Sequence, residues 1–171
     1  MRFVALIVAL LPAVVWAQPS RPWYLTDEFE DKPWEEQKAQ MPPYPKSENL
    51  VRITVSAVTS FEFFVDTASV SVGKDGAVRY TLVARSPSGA MNVSFEGIRC
   101  DTRERKLYAF GSTGNSWIQA RNADWVRIRE VTANRQHAAL ADDYFCPGRI
   151  PVRTTEEALD AVKRGGHPAS R

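Results

Sequence analysis

The chain has few of the residues on which most catalytic and metal sites depend, with two histidines and two cysteines among its 171 residues. His167 lies near the C-terminus, so a Ser/His/Asp triad or a metal site would have to use His137. The sequence around His137 carries no recognisable motif for either kind of site. We therefore interpret His137 as a surface residue of a helix, and we predict no catalytic residue, no metal ligand and no cofactor.

The chain also lacks a large excess of positive or negative charge. The formal net charge of +2 is too small to indicate a nucleic-acid partner, because dedicated binders usually carry a strongly basic patch. Acid/base pairs such as those of glycosidases meet only in the folded protein, so their spacing in the sequence is not diagnostic. Asp66, Glu96 and Asp101 therefore stay open as carboxylate candidates.

The N-terminus has the pattern of a signal peptide. Met1-Arg2 is a short basic start, residues 3–15 form an apolar run, and Val15-Trp16-Ala17 supplies the small residues that precede a cleavage site. A membrane anchor is the alternative, but the run is shorter than the roughly 20 residues of a spanning helix. We expect residues 1–17 to be a signal peptide cleaved after Ala17, with a periplasmic protein and no transmembrane segment remaining.

Export makes the cysteine count informative. Two cysteines in an exported chain indicate one disulfide, between Cys100 and Cys146. The alternative is a reactive thiol or a metal ligand, but the pair lacks the CxxC spacing typical of such sites.

Composition divides the mature chain into an arm and a domain. Residues 18–49 are rich in proline, tryptophan and acids, which is not core composition. Pro33 and the acids after it predict a short helical turn. The aromatic residues of this arm either pack onto the domain or dock a partner. We expect the domain over residues 50–166 and a frayed tail over residues 167–171.

Alternating apolar and polar residues predict strands through most of the domain, and the pattern changes to a helical period near its C-terminus. Residues 154–165 have an N-terminal capping pattern, acidic and then basic ends, and a terminating glycine pair. The fold class is therefore α+β. We expect an antiparallel sheet of about six strands in a meander, packed by one or two C-terminal helices, with a small β-sandwich as the alternative.

The register of one predicted hairpin leads to a specific ion pair. If residues 86–89 form its loop, Tyr80 faces Phe95 and all apolar residues of both strands share one side. Arg79 then faces Glu96 on the other side, and we predict a structural ion pair between them.

A mild cationic excess with interspersed tryptophans follows the hairpin. In an exported protein such a face suits an anionic envelope component or an acidic envelope protein. A sheet face covered by the acidic arm is the alternative. The candidate binding surface comprises Arg85, Arg99, Trp117, Trp125, Arg127 and Arg129.

Several segments resemble the CNP1-like family of exported bacterial proteins. They are VRYTLV at residues 78–83, EGIRC at 96–100, YAFG at 108–111 and YFCPG at 144–148. The resemblance implies a Gram-negative envelope setting and a single compact domain, but no activity, cofactor or catalytic residue.

These observations favour a non-enzymatic binding or interaction module of the cell envelope. The alternative is an envelope hydrolase with an unrecognised acid/base pair. A concave pocket with convergent polar groups and a carboxylate of perturbed pKa would favour the enzyme.

Overall fold

The computed structural model describes residues 33–129 and 135–170. The expected signal peptide, its cleavage site after Ala17 and the first part of the arm lie outside the described residues.

The described residues form a seven-stranded antiparallel sheet. Six strands follow one another across it in chain order, and the seventh pairs with the beginning of the fifth. This arrangement confirms the predicted meander. The strands are β1 Leu50–Ile53, β2 Glu62–Val72, β3 Val78–Arg85, β4 Met91–Arg99, β5 Glu104–Gly111, β6 Trp117–Gln119 and β7 Val126–Arg127.

Two helical segments follow the sheet and confirm the α+β class. Helix α1, Arg135–Ala139, continues directly as the π-helix Leu140–Phe145, and helix α2 spans Thr155–Arg164. Short 3-10 turns occupy Ser47–Asn49, Pro147–Arg149 and Pro168–Ser170.

Helix α2 begins and ends where its sequence predicts. The side chain of Thr154 accepts a hydrogen bond from the Glu157 amide at 3.1 Å, and the Glu157 carboxylate accepts one from the Arg153 amide at 2.7 Å. Gly165 ends the helix in the left-handed conformation, with a φ of 71°. In the described part of the tail, the His167 amide donates to the carbonyl oxygen of Asp143 at 2.7 Å.

The predicted register of β3 and β4 is wrong by one residue. Tyr80 pairs with Glu96, and Thr81 pairs with Phe95. The cause is the loop, which contains three residues instead of four: the Ser86 amide donates to the Ala90 carbonyl oxygen at 2.9 Å. Gly89 permits this shorter loop by taking a φ of 86°.

The sheet consequently has two different buried faces. The helix face carries Val78, Tyr80 and Leu82, which pack with the C-terminal helices into the main hydrophobic core. The opposite face, which we call the arm face, carries Arg79, Thr81, Val83, Phe95 and Gly97. Thr81 and Val83 are almost fully buried there, so both faces of the central strands are covered.

The described part of the arm covers the arm face. Residues 33–46 contain no helix, so the predicted helical turn is wrong. An extended backbone places Trp34 and Glu36 on the same side, and both contact the sheet while Glu35 is exposed.

The Cys100–Cys146 disulfide confirms the predicted pairing. The two Cα atoms are 5.5 Å apart. Cys100 follows β4 and Cys146 follows the π-helix, so the bond joins the central sheet to the helical layer.

Replacing both cysteines by alanine should lower the free energy of unfolding by about 4 kcal/mol, because the bond closes a long loop in the unfolded chain. Urea denaturation of C100A/C146A and wild-type protein measures this difference. Alkylation and intact mass supply the control: two free thiols in unreduced protein from an oxidising compartment would contradict the bond.

Candidate functional site

A cavity of about 490 Å³ opens on the helix face of the sheet. One side is formed by β3 and β4, and the other by the loop between β1 and β2 together with the beginning of α1. The lining combines apolar and polar side chains. The apolar ones are Val55, Val58, Phe61, Phe63, Leu82 and Ala84, and the polar ones are Thr59, Ser60, Asn92, Ser94, Glu96, Arg135 and Gln136.

The loop over the cavity, residues 54–61, is attached to the helical layer at two points. The Thr54 amide donates to the Tyr144 hydroxyl at 2.8 Å. The Arg135 guanidinium donates to the Ser56 hydroxyl at 3.1 Å. These two bonds connect the loop to the helical layer beside the cavity.

Glu96 is the most strongly constrained polar residue of the cavity. It is 4% exposed, and the observed register places it on the helix face opposite Tyr80. Its Oε1 accepts a hydrogen bond from the Ser94 hydroxyl at 2.7 Å, and its Oε2 accepts one from the Tyr80 hydroxyl at 3.2 Å. Both carboxylate oxygens are thus engaged from the sheet side.

His137 approaches the same carboxylate from α1. Its Nε2 lies 2.8 Å from Glu96 Oε2, and the residue is 5% exposed. The ring is not aligned for a directed hydrogen bond, so the contact is one of charge when the imidazole is protonated. Nδ1 has no hydrogen-bond partner among the described residues. The interpretation of His137 as a surface residue is therefore wrong: it lies on the face of α1 turned toward the sheet.

The predicted Arg79–Glu96 ion pair is also wrong, because the register places Arg79 on the arm face. Arg79 instead makes two hydrogen bonds to the Asp75 carboxylate, at 2.6 and 3.1 Å, and a third to the Gln37 carbonyl oxygen at 2.8 Å. Arg79 therefore connects the β2–β3 turn to the arm and takes no part in the cavity.

The surroundings of Glu96 determine its protonation state. Burial by itself raises the pKa of Glu96, but the charge and contact of His137, together with the Ser94 hydrogen bond, outweigh burial and hold the pKa below its ordinary value of 4.5. Burial and the nearby Glu96 charge raise the pKa of Tyr80 well above its ordinary value. At neutral pH the site therefore holds a carboxylate and a phenol that donates to it.

The register places Arg85 and Arg99 of the predicted cationic surface on the arm face, in phase with Arg79 and Gly97. Arg85 bonds to Glu62 at 2.6 Å and lies over the Phe64 ring, whereas Arg99 lies 4.1 Å from the centre of the Trp34 ring in the arm. Both arginines thus contact other side chains of the chain.

The two tryptophans of that predicted surface contact the arm as well. Trp117 donates a hydrogen bond to the Pro42 carbonyl oxygen at 2.8 Å, and Trp125 donates one to Glu36 at 3.2 Å. Arg127 and Arg129 remain exposed near β7. The alternative interpretation, a sheet face covered by the arm, therefore describes Arg99, Trp117 and Trp125.

Sequence reasoning missed the cavity because its walls come from distant segments. One signal was available: the run Phe61-Glu62-Phe63-Phe64 is more apolar than a half-buried strand requires. Phe61 and Phe63 both line the cavity.

Residues 33–129 and 135–170 contain neither a candidate metal site nor a candidate membrane-spanning helix. Within these ranges no three His, Cys, Asp or Glu residues cluster in a way that could hold a metal ion. The helices of the same ranges are too short or too polar to cross a membrane.

The geometry defines an antiparallel α+β domain that has a cavity of small-molecule size on one face of its sheet. The chain belongs to the CNP1-like family, whose sequence model matches residues 29–163. It is similar to cryptic neisserial protein 1 of Neisseria gonorrhoeae, with 30% identity over 160 residues, which is 84% of this chain and 78% of the relative. No solved structure matches the chain.

The lowered pKa of Glu96 predicts an acid-sensitive contribution to stability. Because the folded pKa lies below the ordinary value of 4.5, this contribution is fully present above pH 4.5 and is lost as the pH falls through the folded pKa. Replacing Glu96 by glutamine should cost about 3 kcal/mol at neutral pH, since it leaves His137 buried without a carboxylate. The gap between wild type and E96Q should narrow below pH 4.5.

Urea denaturation from pH 3 to pH 7 measures this gap. Glu62→Gln is the matched control, because Glu62 pairs with Arg85 and Arg52 in partly exposed ion pairs, which are typically worth about 1 kcal/mol or less. A difference between wild type and E96Q that stays constant over the whole pH range would contradict an ionised Glu96.

Proposed function

We propose that this protein is an exported, non-enzymatic binding module of the bacterial cell envelope and that the cavity on the helix face is its ligand site. One observation carries the proposal: the cavity joins apolar walls to a carboxylate that is already paired and held ionised. Its volume of about 490 Å³ falls within the usual range for small-molecule sites.

The distribution of polar groups indicates the chemistry of the ligand. Phe61, Phe63 and Leu82 offer an apolar wall, whereas Arg135 is the cationic residue among those that line the cavity. No carboxylate of the described residues lies within salt-bridge distance of Arg135. The charge of Glu96 is met by its own neighbours. The cavity therefore suits an amphiphile with an apolar body and an anionic head group.

The envelope hydrolase is the second candidate, because Ser94 and Glu96 line the cavity and His137 contacts Glu96, a combination that an enzyme could use. Their geometry favours binding over catalysis. Ser94 donates to Glu96 instead of to His137, so the hydroxyl lacks the imidazole base that activates many serine nucleophiles. A carboxylate with a lowered pKa is a poor general acid and a weak base at neutral pH.

Three probes with the same chain length and different head groups test the ligand class. Calorimetric titration should show that dodecanoate binds and that dodecyltrimethylammonium and dodecyl maltoside bind far more weakly. Ala84→Trp fills the cavity and should abolish binding. Arg135→Gln should weaken dodecanoate binding about fivefold, which corresponds to roughly 1 kcal/mol.

The matched controls are substitutions of the same kinds at positions outside the cavity. Ile118→Trp on β6 and Arg127→Gln on β7 alter exposed residues and should leave binding unchanged. Equal affinity for all three probes, or equal effects of A84W and I118W, would contradict the cavity as the ligand site. Hydrolysis of 4-nitrophenyl dodecanoate by wild type but not by E96Q would replace this proposal by the hydrolase.

The export part of the proposal rests on the N-terminal pattern and is tested separately. Expression of the full chain in a Gram-negative host should give a periplasmic protein whose first residue is Gln18, because Ala17 ends the cleavage pattern. Intact mass of the purified periplasmic fraction measures this. Ala17→Arg should block cleavage, and a wild-type protein that retains Met1 would contradict the prediction.

A further inference from the structure

The arm face of the sheet carries a groove that holds residues 34–44 of the chain. We call it the arm-binding groove, and it is formed by Asp75, Arg79, Lys106, Tyr108, Trp117 and Trp125. It lies opposite the cavity and shares none of the residues that line it.

The groove recognises a carboxylate at one position. Glu36 accepts hydrogen bonds from Lys106 at 2.6 Å, from Tyr108 at 2.9 Å and from Trp125 at 3.2 Å. Three converging donors of different chemistry, one of them charged, make a specific acceptor site. Glu35, the neighbouring acid, is exposed.

The arm backbone and Trp34 are recognised beside this carboxylate. The Gln37 amide donates to the Asp75 carboxylate at 2.8 Å, and the Gln37 carbonyl oxygen accepts from Arg79 at 2.8 Å. Trp34 donates to the Asp75 carbonyl oxygen at 2.8 Å and packs edge-on against Trp125 with 5.6 Å between ring centres. The groove thus binds both the backbone and the side chains of the arm.

The proline-rich part of the arm occupies an aromatic end of the groove. Trp117 donates a hydrogen bond to the Pro42 carbonyl oxygen at 2.8 Å, and the Tyr44 ring packs on Trp117 with centres 5.3 Å apart. Gly111 permits this approach, because a Cβ there would lie 2.5 Å from the Tyr44 hydroxyl. Aromatic residues that pack on an extended proline segment and bond its carbonyls form a common mode of peptide recognition.

We infer that the arm-binding groove is a peptide-binding site in its own right and that a second copy of this chain supplies the peptide by exchange of the arm. The segment whose fit to the groove is visible is the arm itself, so an identical arm fits equally well. Exchange recreates the same contacts in the partner and therefore costs little. The prolines keep the free arm extended, which reduces the entropy lost on binding.

A synthetic peptide of residues 33–45 tests recognition in trans. The receptor is the full chain with W34A/Y44A, which removes two arm anchors and leaves the sheet unchanged. The peptide should bind this variant at least tenfold more tightly than it binds wild type, because the tethered arm competes at an effective concentration of about 1 mM.

Two peptide variants provide a matched pair. Glu36→Gln should weaken binding about tenfold because the carboxylate meets Lys106, whereas Glu35→Gln should have no effect. Should W34A/Y44A fail to fold by circular dichroism, the E36K chain serves as the receptor. Absence of peptide binding, or equal effects of the two substitutions, would overturn the inference.

Exchange between copies is tested with two complementary full-length chains. W34A/Y44A keeps a groove but has a weakened arm, and K106E keeps an arm but has a weakened groove. Their mixture should form a heterodimer by light scattering after size exclusion, while each chain alone stays monomeric at the same concentration. A mixture that remains monomeric would exclude a second copy as the source of the peptide.

Discussion

The hairpin between β3 and β4 determines which side chains of the central sheet share a face. Gly89 takes a left-handed conformation, the loop contains three residues, and Glu96 therefore lies beside Tyr80. A loop one residue longer would exchange the two faces of β4. Glu96 would then point away from α1, and Phe95 would enter the core beneath the helices. The cavity on one face and the groove on the other both depend on this single backbone register.

The buried charge at Glu96 has a structural meaning besides its place in the cavity. Burying a carboxylate is costly unless partners compensate it, and here the partners come from β3, from β4 itself and from α1. The pair of Glu96 and His137 thus joins α1 to the central strands of the sheet.

Local patterns in the sequence were sufficient for the strands, their order, the ends of α2 and the cysteine pair. Each of these follows from turn residues, caps or residue counts that act over short distances. The predicted register of β3 and β4 was wrong because the sequence from Ser86 to Gly89 is compatible with both a three-residue and a four-residue loop. The two loops differ only in whether Ser86 joins the strand ladder. The predicted exposure of His137 was wrong for a different reason. Its burial depends on Glu96, which is far away in sequence, and no local pattern indicates that contact. The cavity and the arm-binding groove are likewise products of distant contacts.

The contacts of Glu36 also imply an order in which segments of the chain are synthesised and reach their places in the fold. Its partners Lys106, Tyr108 and Trp125 follow it by 70, 72 and 89 positions, whereas β3 and β4 are neighbours joined by a tight loop. Chains are made from the N-terminus, and contacts between distant residues form slowly. The first described segment to be synthesised is therefore among the last to reach its place. Until β5 and the tryptophans beyond it exist, Glu36 has none of its three partners, and the nascent arm can contact only earlier residues such as Asp75 and Arg79.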